Sequence, residues 1–215
     1  MDKLTSTQIL EAGLDDWRQL AQGIHARYRT GSFNAGMRFL TAVSEAAETA
    51  NHHPDVTLTY PYVDLKLISH DVGALTERDV KLARSISAIA QEQGLTAQPK
   101  ALAEVELALD TAQVAAAGPF WAALLTGDAD NVSGDDVTDP SGRVPLLWFQ
   151  QTDAHETPRQ RFHLDVWVPH DQAEARIAAA VAAGGTVVDD SRAPSFTVLV
   201  DGEGNRACVC TALDR

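Results

Sequence analysis

A chain of 215 residues is long enough for one large domain or two small ones, each with its own core. Its formal net charge of −13 argues against nucleic-acid and anionic-membrane partners, because phosphate contacts need clustered cations, and no apolar run approaches the roughly 20 residues that span a bilayer. The charge is also uneven. Residues 1–100 hold 10 Lys and Arg against 12 Asp and Glu, whereas 101–215 hold 7 against 18 and no Lys, which points to two units of separate origin.

The start, Met1 to Thr5, lacks the basic-then-apolar layout of a secretory leader. The two cysteines, Cys208 and Cys210, are too close for an easy disulfide, so reduced thiols in a cytoplasmic protein are expected. Residues 34–51 place Phe39, Val43, Ala46, Ala47 and Ala50 at helical spacing. Asn34 is the candidate N-cap, and Pro54 lies just past the end. Residues 56–60 and 62–69 alternate as two paired strands with Val56, Leu58 and Tyr60, then Val63, Leu65 and Leu67, on one face. By parity His70 falls off that face, beside a glycine-containing turn. Thr76-Glu77-Arg78-Asp79 reads as a capping box opening a helix whose buried face carries Val80, Ala83, Ile86 and Ala90. Gly94 to Ala101 reads as a linker.

Three of the seven histidines, His52, His53 and His70, fall within nineteen residues. Imidazole gives and takes protons near neutrality, so the trio is a candidate acid–base constellation. The plainer uses are a charge at the helix C-terminus for His52 or His53, a helix-capping carboxylate for Asp79 and a packed strand aromatic for Tyr60. The order Glu48, His52-His53-Pro54, Tyr60, His70, Asp79, with Trp17, Phe33 and Phe39 upstream and Ser69-His70-Asp71-Val72-Gly73-Ala74-Leu75-Thr76 around the third histidine, resembles the signature of the pterin-4a-carbinolamine dehydratases over about residues 5 to 95. Val56 stands where that family commonly has Trp, and Ala74 where it has Gly. The resemblance implies an antiparallel sheet with helices on one face and dehydration of a 4a-hydroxytetrahydropterin to the quinonoid dihydropterin. It also implies His52, His53 and His70 as catalytic residues, Glu48, Tyr60 and Asp79 as substrate-binding residues, no metal or organic cofactor (the pterin is the substrate), and a homodimer or larger assembly.

Beyond the linker the pattern changes. Glu104 to Leu109 alternates as a strand, and a helix around Phe120 to Leu125 ends at Gly127. The order recurs with a strand at Arg161 to Val168 and a helix opening at Asp171 and stopping at Gly184-Gly185. Glu104 to Gly127 and His163 to Gly185 are 23 and 22 positions apart, the mark of an internal repeat. Phe120-Trp121 with Leu124-Leu125-Thr126-Gly127, the Arg161-to-Val166 strand and the ending Asp201-Gly202-Glu203-Gly204-Asn205 resemble the glyoxalase-like proteins of the vicinal-oxygen-chelate superfamily. That resemblance implies paired βαβββ modules forming a curved sheet around a cleft. The cleft would be lined by His163, Trp148 and Trp167 and would bind a second small molecule. The positions matching metal ligands there are Glu104, His163 and Cys208; a thiol in place of a carboxylate argues against the superfamily's oxygen-rich site, so no tightly held catalytic metal is expected. The Asp-rich loop from Asp128 to Asp139 lacks the spacing of a Ca²⁺ loop.

The expected architecture is therefore α+β in two domains, 1–98 and 102–215. Two functions compete: a pterin dehydratase with an accessory C-terminal domain, or a C-terminal small-molecule binder or metal enzyme whose N-terminal half mainly dimerises.

Overall fold

The computed structural model describes residues 2–126, 128–142, 144–153, 162–182, 185–200 and 206–215. The chain forms two compact units, one of Met1–Ala103 with Val168–Ala173 and Thr211–Arg215, the other of Glu104–Trp167 with Glu174–Cys210. Among the described residues no helix is long and apolar enough to cross a membrane.

The first unit runs α1 (Ser6–Glu11), β1 (Arg18–Leu20), β2 (Gly23–Arg29), α2 (Phe33–Ala50), β3 (Asp55–Leu58), β4 (Tyr62–Leu67), α3 (Glu77–Glu92) and β5 (Thr96–Ala97). The sheet order is β1-β2-β4-β3, antiparallel throughout, with β5 also on β2. Strand parity sorts its faces. Ile24, Ala26 and Tyr28 of β2 and Val63, Leu65 and Leu67 of β4 are at most 1% exposed and pack with Phe39, Val43, Val80, Ala83 and Ile86 of the two long helices. The opposite face is polar: Arg27 donates Nε–H and Nη2–H to both Asp64 oxygens at 2.6 and 2.8 Å and lies over the Tyr62 ring.

Several local expectations change. The N-cap of α2 is Ser32, whose hydroxyl accepts from the Ala35 amide, not Asn34, which already lies inside the helix. The C-cap is Asn51 at φ 47°, a left-handed conformation that Asn tolerates and that turns the chain sharply into His52. Tyr60 is not a packed strand aromatic. It sits in the turn between β3 and β4 and is 69% exposed. Val56 is likewise exposed. The stretch from Gly94 is not a free linker, since Thr96 and Ala97 pair with Arg29 and Tyr28 and the Gln98 amide donates to the Arg27 carbonyl.

The second unit contains β6 (Glu104–Thr111), α4 (Val114–Thr126), β7 (Val132–Ser133), β8 (Asp136–Val137), β9 (Leu147–Gln151), β10 (Phe162–Trp167), α5 (Ala173–Ala182), β11 (Thr186–Asp189), β12 (Phe196–Val200) and β13 (Arg206–Cys210). These make two βαβββ modules in one eight-stranded sheet, β11-β12-β13-β10-β6-β9-β8-β7. Within each module the first strand pairs parallel with the last, and the modules join through antiparallel β6 and β10. Helix α4 covers Leu109, Leu147 and Phe149. It comes so close to β7 that a Cβ at Gly118 would stand 2.9 Å from Val132. Gly127, Arg161, Gly184 and residues 201–205, which carry part of the repeat and of the resemblance, lie outside the described residues.

Candidate functional site

The histidine trio gathers where α2 ends, β4 ends and α3 begins. The turn at Asn51 puts His52 inside, 7% exposed, with Nε2 2.7 Å from Asp79 Oδ1. Asp79 is the N3 residue of the Thr76 capping box on α3. Its other oxygen accepts from the Ser69 hydroxyl at 2.7 Å, the Thr76 amide at 2.7 Å and the Thr76 hydroxyl at 3.3 Å. The Ser69 and Thr76 hydroxyl oxygens are themselves 2.8 Å apart, so their two protons are shared among three contacts. Burying a carboxylate completely costs several kcal/mol unless donors replace its water; here three donors and an imidazole do so. An ionised acceptor fixes Nε2 of a neutral His52 as the N–H and leaves Nδ1 as the acceptor nitrogen.

The other two histidines face solvent. His53, with its side chain 54% exposed, has Nε2 3.2 Å from Glu48 Oε1, one helical turn back on α2. His70 is exposed in the turn closed by the Ser69–Ala74 bridge. Beside it Asp71 is paired with Arg78, and that hydrogen bond holds the Asp71 carboxyl below the usual carboxylate range.

The remaining expected residues divide. Glu48 belongs to the group through His53. Asp79 is 0% exposed and meets the trio at His52. Tyr60 stands at the far end of the β3–β4 hairpin, the Asp55–Lys66 pair being at the histidine end, and the four residues of β3 between them span about 10 Å. Ser69 was missed. The parity that takes His70 off the core face puts Ser69 on it, and a hydroxyl on an apolar parity is the signal that was there to read.

On the second unit, β6, β10 and β13 carry a row of polar side chains on one face. His163, Asp165 and Trp167 alternate along β10, with Asp165 opposite Glu106 on β6 and Cys208 on β13. The Trp167 indole donates to Glu106 Oε2 at 2.6 Å, and the Trp148 ring stands edge-on to His163. Glu104 is opposite Trp167, whereas His163 is opposite Ala108. The expected Glu104–His163–Cys208 grouping is therefore not formed; Asp165 takes the place of Glu104 beside His163 and Cys208.

Comparison with known proteins agrees with this division. Residues 2–89 match the family model "Pterin 4 alpha carbinolamine dehydratase" and residues 106–210 the model "Glyoxalase-like domain". A protein of Acidobacterium capsulatum is 43% identical over 91 residues, covering 41% of this chain and 99% of that one. One of Thermomicrobium roseum is 36% identical over 90 residues, covering 42% and 96%. Both carry the name "Putative pterin-4-alpha-carbinolamine dehydratase". A crystal structure from Brucella melitensis titled as a transcriptional coactivator/pterin dehydratase is 31% identical, covering 41% of this chain and 99% of that one, at a TM-score of 0.40. By its N-terminal domain the chain belongs to the pterin-4a-carbinolamine dehydratase family, and a glyoxalase-like domain follows.

Proposed function

We propose that the N-terminal domain dehydrates a 4a-hydroxytetrahydropterin to the quinonoid dihydropterin by histidine acid–base catalysis. The observation that carries this reading is the buried His52–Asp79 bond and its three supporting donors. A proton-transfer group gains from a fixed ring and a fixed tautomer, and this bond supplies both. Loss of water requires a proton delivered to the departing 4a hydroxyl and another taken from a ring nitrogen, so the carbon–oxygen bond breaks without a change of oxidation state. His52 and His70 are the acid–base pair, and His53, steadied by Glu48, holds the pterin. No metal or organic cofactor is required by this chemistry. The glyoxalase-like domain is accessory to it.

The test is turnover of 4a-hydroxytetrahydropterin by the full chain without added metal. His52→Ala and His70→Ala should each lower the rate by about 100-fold or more while circular dichroism stays unchanged. Equal rates in wild type and both variants would remove the assignment.

A further inference from the structure

The dehydratase reading does not use Trp17, nor the two short segments that the first unit takes from the C-terminal half of the chain, Val168–Ala173 and Thr211–Arg215. They meet in one cavity of about 200 Å³. Ile9, Leu14 and Ile24 give it apolar walls beside Trp17, and Ala212 and Leu213 close it from the C-terminal segment. Ile9, Trp17 and Ile24 belong to the first unit's core, so the walls are held by packed elements. The Trp17 indole N–H is spent on the Ser87 hydroxyl at 3.1 Å, which leaves apolar ring surface for the cavity. From this geometry we propose that the cavity is a second binding site, taking one uncharged, single-ring aromatic molecule whose hydroxyl or amide substituent hydrogen-bonds to His170.

Size, polarity and charge each narrow the occupant. An apolar cavity of about 150 Å³ holds benzene, so this volume suits one ring with a short substituent and excludes a long acyl chain. Unfilled apolar walls forfeit dispersion contacts that such a ring restores. A pterin carries polar atoms around both its rings and would leave them unpaired against Ile9, Leu14 and Ile24, so the substrate of the dehydration is refused. The rim supplies the polar selection. Ser6, Gln19 and His170 line it, and among the described residues their side chains carry no hydrogen bond. Arg18 lines it too, but its guanidinium is committed. Its Nη1 donates to the Asp15 and Trp17 carbonyls at 3.0 and 2.8 Å, and its Nη2 to Asp171 at 3.0 Å. With the Arg18 charge matched by Asp171, the rim selects by hydrogen bond rather than by ion pairing.

The cavity belongs to the fused chain and not to a dehydratase domain as such. His170 follows β10, and Ala212 and Leu213 follow β13; these strands are neighbours in parallel register, so both segments leave the pair at the same end. The Acidobacterium relative is matched over 99% of its length by 91 residues. A protein of that length has no counterpart of His170, Ala212 or Leu213.

The experiment is titration of the full-length protein with fluorobenzyl alcohol and, separately, fluorotoluene, followed by fluorine NMR. Saturable binding of the alcohol at one site per chain is expected, with Kd of about 0.1–1 mM for so small a ligand. Magnetisation transfer from the bound ring should reach the methyl groups of Ile9, Ile24 and Leu213. Ala212→Phe, which fills the cavity, should abolish binding. His170→Ala should weaken the alcohol about 3- to 10-fold, the worth of one hydrogen bond, and leave fluorotoluene unchanged. Dihydropterin should displace neither probe. The wild-type transfer decides the matter even where a variant misfolds. No saturable binding at millimolar probe, transfer to other methyl groups only, or displacement by dihydropterin would each overturn the proposal. So would binding retained in a folded Ala212→Phe protein, or an alcohol affinity unmoved by His170→Ala.

Discussion

Asp79 joins a helix cap to the proposed proton-transfer histidine. It caps α3 and tethers His52 with different oxygens, so Asp79→Asn removes an ionic acceptor from both. The expected result is a 10- to 100-fold fall in kcat, on the order of a general acid–base contribution, with KM little changed. The pH–rate profile should move as well, because the His52 ring loses its fixed partner; an unchanged profile would reduce Asp79 to a helix cap. A second buried imidazole bears on stability. Burial, with Lys66 adding to it, lowers His25 from its ordinary value of 6.5 to about 4, and its Nε2 has no hydrogen-bond partner. The unfolded chain therefore binds a proton that the folded chain refuses, and stability falls as pH drops from 6.5 towards 4. The loss approaches about 3 kcal/mol. Thermal melts of wild type and His25→Asn across that range should diverge by most of this amount; parallel curves would show that His25 is not the group responsible. Nothing local marks His25 in the sequence, because its burial is set by the strands on either side of β2.

The helix caps separate folding from function at the level of the element. Ser32 caps α2 and Thr76 caps α3 by the same physics, and replacing either by Ala should cost about 1 kcal/mol. Only Thr76 touches Ser69 and Asp79. Thr76→Ala should therefore also slow turnover several-fold, while Ser32→Ala leaves it unchanged and Asn34→Ala changes neither. Denaturant unfolding with parallel rate measurements checks all three, and equal turnover in the two cap variants would contradict the network. The Thr76–Asp79 box was legible because its residues are three apart and interact within one turn. Both long helices were legible for the same local reason. What stayed hidden depends on pairing between distant segments. Thr96 and Ala97 form a strand only because β2 offers them an edge. Glu104 matches a ligand position of the superfamily by resemblance, but alternation gives a strand's faces and not its register, and the pairing of β6 with β10 puts Glu104 opposite Trp167, four residues from the Ala108 that stands opposite His163.

For the whole molecule, the shared order of the two C-terminal modules was readable from matched strand–helix spacing, whereas assembly leaves no such periodic mark and has to be argued from surfaces. Strand β3 is the outermost of its sheet, and Val56 on it is 45% exposed. Phe33 and Met37, four residues apart on α2, are 50% and 48% exposed. An open strand edge and an apolar stripe on the neighbouring helix are liabilities for a lone chain, and two-fold pairing removes both at once. Light scattering at micromolar concentration should therefore give a dimer or a larger even-numbered assembly. Val56→Lys combined with Met37→Lys should shift it towards the monomer, since each copy would bring its new charges against the same patch of the other. The Acidobacterium relative is matched over 99% of its length by 91 residues, so the segment 1–103 on its own should assemble in the same way and keep its turnover. Removing the rest also takes Val168–Ala173 and Thr211–Arg215 from this unit, and with them the Arg18–Asp171 ion pair, itself a partly exposed contact worth at most about 1 kcal/mol. A wild-type monomer would sink the assembly argument, and an inactive but folded 1–103 segment would show that dehydration needs the second domain.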